Sequence, residues 1–175
     1  MFRYKDRVIT PGKGWKDDEG YQHPGNWNIW SDAEKKAKGV TEVTEDTPPD
    51  SRLYDWSGPD SNGKITSTAK ALDDSGSGKN KVLGVKSTLK EVIKAEQGHL
   101  LFQTDWAVIR KADKGTEIPS NIQTWRDAIR AKATEMENAI DSASDTDAVA
   151  ALFVVFDKDG NKKSGILYDW PELGE

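Results

Sequence analysis

"SNIQTWRDAIRAKATEMENAI", residues 120–140, decides how the second half of this 175-residue chain is built. Its apolar positions Ile122, Trp125, Ile129, Ala133, Met136 and Ile140 step by three and four. Residues at that spacing share one face of an α-helix, so the stretch reads as a helix with a single narrow apolar stripe. Ser120 and Gln123 have capping-box spacing at its start. Upstream, Thr88 and Glu91 have the same spacing and lead into Leu89, Val92, Ile93 and Leu100. Thr104 or Asp105 can cap a further segment through "WAVIRKA" (106–112), which "DKGTEIP" (113–119) then breaks. Helices joined by a short Gly and Pro loop fold back as an antiparallel hairpin. The expected seam joins Ile122, Trp125, Ile129, Met136 and Ile140 to Leu89, Val92 and Ile93. Each helix alone leaves its stripe in water, so the pair needs each other or a partner chain.

Beyond the helices the period changes. "LFVVFD" (152–157), "KDGN" (158–161) and "KKSGILYDW" (162–170) read as a β-hairpin around Asp159 and Gly160. Before them, "DDSGSGKNK" (73–81) holds Gly, Ser and charge with no apolar member, the composition of a linker. The first 72 residues read as short strands and turns with one helix, "SDAEKKAKG" (31–39). Ser31 and Glu34 have capping-box spacing, and Gly39 stands where a left-handed cap belongs. The expected fold is therefore α+β. It comprises a small Trp-rich β module (1–72), a flexible linker (73–86), a helical hairpin (87–151) and a C-terminal β-hairpin (152–175).

Composition narrows the function. Hydrophobic residues make up 35% and charged residues 31%, which favours a modular molecule over one large core. Seven tryptophans can nonetheless hold small cores together. Net charge is -5 with the signs interspersed and no basic stripe, so no nucleic-acid partner is expected. There is no cysteine, hence no disulfide framework and no thiolate metal site; this suits a reducing cytoplasm. "MFRYKDRVITPG" has no apolar run of signal-peptide length, and no window reads as a membrane span.

Candidate chemistry is sparse. "DKDGN" (157–161) resembles a calcium loop, but its glycine comes fourth instead of sixth and Tyr168 stands where the closing glutamate belongs. A hairpin turn explains it without metal. His23 and His99 sit in separate segments, so no zinc site is expected. The chain has no nucleophile elbow and no phosphate-cradling glycine pattern. Asp17, Asp18, Glu19, Asp73 and Asp74 are adjacent acids in turns, which read as solvated faces. No enzyme, catalytic residue or cofactor is expected, and a small hydrolase ranks last. Trp27 and Trp30, three apart, pose a sharper question. They read as core rivets, because Trp30 precedes the capping Ser31 and can pack back on its helix. The competing reading is a glycan platform.

Two stretches resemble a known family. "HPGNWNIWSDAEKKAKGVTEV" (23–43) followed by "DSRLYDWSG" (50–58) resembles the N-terminal part of small bacteriophage tail proteins, the tail-fibre assembly proteins or tail assembly chaperones. "LLFQTDWAVIRKADKGTEIPSNIQTWRDAIR" (100–130) is similar to their helical part, through Thr104, Asp105, Trp106, Arg110, Gly115, Pro119, Trp125, Arg126, Ala128 and Arg130. The added hairpin at 152–170 departs from that pattern. The resemblance implies a non-enzymatic tail protein that binds a tail fibre or another tail component. It would act as an assembly chaperone in the host cytoplasm or stay in the virion tail. The candidate partner-binding residues are Trp106, Arg110, Trp125, Arg126, Ile129 and Arg130. Physically, Trp106 and Trp125 are placed to pack across the hairpin. The three arginines are placed to pair with Asp105, Glu117 or a partner's acids. A second copy of the chain is among the partners this permits. The alternative is a carbohydrate-binding module displaying Trp27, Trp30 or Trp56.

Overall fold

Three stretches of the form Asp-x-x-Gly-x make tight turns of one kind in this protein, whose computed structural model describes residues 1–174. They begin at Asp17, Asp60 and Asp157, and all three close the same way. The Asp N–H donates to the carbonyl of the fifth residue, and the Gly N–H donates back to the Asp carbonyl, at 2.9–3.2 Å. One Asp carboxylate oxygen then accepts the N–H groups of the third and fifth residues, at 2.7–3.1 Å. Gly20, Gly63 and Gly160 have φ of 84°, 79° and 82°, a region that an L side chain rarely adopts. Each turn closes a two-stranded antiparallel hairpin. These are β3 (Trp15–Lys16) with β4 (Gln22–His23), β6 (Tyr54–Trp56) with β7 (Ser67–Ala69), and β8 (Val155–Phe156) with β9 (Lys162–Ser164).

The turn carboxylates give the fold a pH signature. The Lys64 and Asn62 N–H groups hold the Asp60 carboxyl below its ordinary value. At Asp157 the Asn161 N–H lowers it against burial, with help from Asp159. At Asp17 burial works upward, and the Tyr21 N–H and the His23 ring outweigh it. Asp74 is brought down to about 2 by Lys81, the Gly84 N–H and Ser87. All four folded values lie below the unfolded one, so their contribution is complete above the unfolded value and is lost as pH falls toward the folded values. Thermal melts should hold steady from neutral pH and then drop below about pH 4. A midpoint of loss in the histidine range would contradict this assignment.

The chain divides into two units, Met1–Ala69 and Lys70–Glu175. In the first, β1 (Phe2–Tyr4) lies between β2 (Arg7–Ile9) and β5 (Val40–Glu42), antiparallel to both. Tyr4, Ile9, Trp15, Trp27 and Val40 are its core, with Phe2 and Trp30 packed at the edge. Helix α1 (Asp32–Ala37) carries the expected capping box: Ser31 Oγ accepts from Glu34 N at 3.3 Å, and Glu34 Oε2 accepts from Ser31 N at 2.8 Å. Gly39 follows in the left-handed region at φ 73°.

In the second unit, α2 (Val85–Phe102) and α4 (Ser120–Ser142) pack antiparallel. Lys90 pairs with Asp141 at one end (2.6 Å), and Arg126 reaches the Leu101 carbonyl at the other (2.7 Å). Leu89, Ile93, Ile122, Trp125, Ile129, Ala133, Met136 and Ile140 are buried, so the expected seam forms, with one correction. Val92 is 39% exposed, one step off the stripe. The hairpin is also drawn differently: α3 (Asp105–Lys114) lies between the two packed helices in sequence, and α2 takes the place beside α4.

Four further expectations need revising. The Ser120 and Gln123 box does not form, because α4 already includes Ser120 and follows Pro119 with no side-chain cap. The stretch 73–86, expected as a linker, is hydrogen-bonded into the second unit. Ser75 and Val82 exchange backbone hydrogen bonds, Asp74 Oδ1 accepts from Gly84 N at 2.8 Å, and Lys81 pairs with Asp74. Polar side chains close this segment where apolar ones are lacking. Helix α2 starts at Val85 with Gly84 as its N-cap, so Thr88 and Glu91 do not form the expected capping box; Thr88 Oγ1 donates to the Gly84 carbonyl instead. The C-terminal hairpin is short and is preceded by an unforeseen helix, α5 (Thr146–Ala150), capped by Asp145.

Candidate functional site

Arg126 sets the geometry of the surface that α3 presents. It sits in the first half of α4 and is buried. Its Nη1 donates to the Leu101 carbonyl at 2.7 Å and to Thr104 Oγ1 at 2.8 Å, and its Nη2 pairs with Asp105 at 2.9 Å. One guanidinium thus satisfies the open end of α2 and the carboxylate in the first turn of α3. A guanidinium is suited to this because its five donors lie in a fixed plane. Thr104 precedes α3 but makes no side-chain cap; its hydroxyl donates to Leu101 and accepts from Arg126.

Held this way, α3 buries only Ala107. Its opposite side carries Trp106, 49% exposed, and Ile109, 66% exposed, with Phe102 at the end of α2 one turn earlier and 73% exposed. Trp106 and Ile109, three apart, share one side of α3, and Phe102 stands before the break at Gln103 and Thr104. Arg110 lies with its guanidinium carbon 5.6 Å from the Trp106 ring centre, a cation–π contact worth about 0.5–1 kcal/mol at an exposed site. Gly115, at φ 68°, ends the helix, and Lys111 pairs with Glu117 beyond it.

The six residues expected to bind a partner therefore separate. Trp125, Arg126 and Ile129 are buried and belong to the scaffold; Trp125 Nε1 donates to the Pro171 carbonyl at 2.9 Å. Trp106 and Trp125 do not pack across a hairpin, because Arg126 holds α3 with Ala107 inward and Trp106 in solvent. Trp106, Arg110 and Arg130 are on the surface, Arg130 paired with Asp127 at 3.0 Å. Arg110 pairs with no acid of this unit among the described residues, and Glu117 is taken by Lys111. Sequence reasoning missed Phe102 and Ile109. For Ile109 the signal was a short helix with few small residues; Phe102, the last residue of the long α2, had no such signal.

The other candidates resolve simply. Asp157 Oδ1 is committed to the turn amides described above. His23 and His99 lie in different units; His23 is buried, with Nε2 3.0 Å from Asp17 Oδ2. Among the described residues no group of three or more His, Asp or Glu is placed to hold a metal ion. Trp27 is fully buried, which removes it from any glycan platform, and Trp30 is half-buried with its ring edge on His23. Trp56 keeps 40% of its surface. No helix among the described residues is long and apolar enough to cross a membrane. No family model, no characterised protein and no solved structure matches this chain.

Proposed function

We propose that this protein is a non-enzymatic bacteriophage tail protein that binds a tail fibre or another tail component, as an assembly chaperone in the host cytoplasm or as a retained part of the virion. The observation that carries the reading is the α3 face: Trp106 and Ile109 are exposed with Arg110 against the tryptophan, and Phe102 is exposed at the end of α2. Tryptophan and arginine are the residues most enriched where binding energy concentrates. The face also falls inside the stretch whose residues resemble the tail family, and a tail protein is the occupant that resemblance names. The alternative, a carbohydrate-binding module, rests on the exposed ring of Trp56.

Ile109→Asp tests the proposal, since Ile109 lies in solvent and the change leaves the core intact. Melting should stay within about 0.5 kcal/mol of the parent. Partner binding should weaken roughly 30-fold, the size of a hot-spot loss near 2 kcal/mol. A photo-crosslinker at Trp106 should capture a tail protein in infected cells, and mass spectrometry of purified virions against lysate separates a retained part from a chaperone. Unchanged tail composition and infectivity in the Ile109→Asp phage, or a crosslinked partner from outside the tail, would sink the idea.

A further inference from the structure

Within the second unit, residues 168–171 cross the paired helices. Asp169 pairs with Lys132 of α4 and with Lys162, Trp170 Nε1 donates to Glu96 Oε2 of α2 at 2.7 Å, and the Pro171 carbonyl accepts from Trp125. A groove opens where this segment meets α2, lined by Ala95, Glu96, His99, Leu100, Tyr168 and Trp170, with a volume near 490 Å³. Its walls are aromatic and aliphatic, and Ala95 leaves the floor open. Tyr168 is held at φ 67°, a left-handed conformation uncommon for an aromatic residue.

Glu96 is the one carboxylate lining this groove, and His99 is the one basic side chain beside it. Glu96 is fixed by an indole N–H, a neutral donor, and no Lys or Arg of this unit pairs with it among the described residues. The two lysines on the far side of Trp170 are already committed to Asp169. A carboxylate fixed at the indole edge leaves the ring face open beside it, and a cation there is attracted by both the carboxylate charge and the ring quadrupole. We propose that this groove takes a basic side chain, an arginine or lysine presented by a partner polypeptide. Its guanidinium or ammonium would lie against Trp170 and Glu96, and its aliphatic stem on Ala95 and Leu100. This contact goes beyond the α3 face and does not depend on the partner proposed there.

The experiment uses small probes on the full chain. Nα-acetyl-arginine amide and its neutral isostere Nα-acetyl-citrulline amide are titrated while the indole N–H resonance of Trp170 is followed, assigned by its loss in Trp170→Phe. Arginine should give a saturable shift in the millimolar range, and citrulline should not. Glu96→Gln keeps an acceptor for the indole but removes the charge, and should weaken arginine about tenfold, the worth of one charge-assisted hydrogen bond. Ala95→Leu, an exposed position, should fill the floor and abolish the shift even if Glu96→Gln were to disturb the fold. No saturable shift with arginine, an equal shift with citrulline, or full binding by a folded Glu96→Gln would each overturn the proposal. None of these results depends on whether a tail protein binds α3.

Discussion

Ile129→Asp is expected to abolish most of the helical signal of the chain. Ile129 is fully buried in the middle of α4, on the face packed against α2. Removing an aliphatic side chain from such a site costs about 2–5 kcal/mol. Introducing a carboxylate there adds the cost of a buried charge, and no lysine or arginine of the seam is free to meet it: Lys86 and Lys90 are engaged at Asp141, and Arg126 is spent on Leu101, Thr104 and Asp105. The sum reaches the whole stability of a domain this size, about 5–15 kcal/mol. Far-UV circular dichroism reads the result directly, since α2, α3 and α4 carry most of the helix. Ile129→Val is the control and should cost about 1 kcal/mol with the signal intact. An Ile129→Asp protein that keeps its full helical signal would show that this seam is not the core.

Local patterns were readable where the physics was local. The stripe from Ile122 to Ile140 is spaced by the helix itself, and it is buried as the spacing requires. The Ser31 and Glu34 box needs only four residues, and it forms. The turn at Gly160 needs five, and it too is present. What could not be read depends on groups far apart in sequence. Arg126 bonds Thr104 and Leu101 across 22 and 25 positions, and that bond turns Trp106 outward when pattern alone placed it against Trp125. Trp170 meets Glu96 across 74 positions, so the groove beside them had no signature at all. The start of α2 was misplaced for a different reason. Thr88 has the composition of a cap, but Val85 is buried and draws the helix start four residues further back, to the cap at Gly84, whose free N–H Asp74 receives. Half of the candidate surface was legible, Trp106 and Arg110, because their residue types stand out; Phe102 and Ile109 look like core until the partner helix is known to lie elsewhere.

Trp27→Ala should cost the first unit about 3–5 kcal/mol, lowering its melting temperature by roughly 12–40 °C. The indole is fully buried inside a 3-10 helix at Gly25–Ile29, too short to hold itself. Its Nε1 donates to the Lys13 carbonyl at 2.9 Å, tying this turn to the loop before β3, and the Phe2 ring meets it at 5.3 Å from centre to centre. The backbones around it are already at closest approach: a Cβ on Gly25 would lie 2.8 Å from the Gly12 carbonyl oxygen, so the cavity cannot collapse by moving that loop inward. Trp27→Ala therefore leaves a void and an unpaired carbonyl together, while Trp27→Phe fills most of the void and loses only the hydrogen bond, about 1 kcal/mol. Trp30→Ala should fall between the parent and Trp27→Ala, because Trp30 is only half-buried and meets His23 by its edge. Near-UV circular dichroism during a melt reads the order. A glycan platform at the opening of α1 demands the opposite order, with melting unchanged and polysaccharide binding lost in both variants. A parent-like melt in Trp27→Ala would overturn the rivet assignment. Trp56, on β6 and well outside this cluster, would then be the next ring to test for sugar binding, through Trp56→Ala on a polysaccharide array.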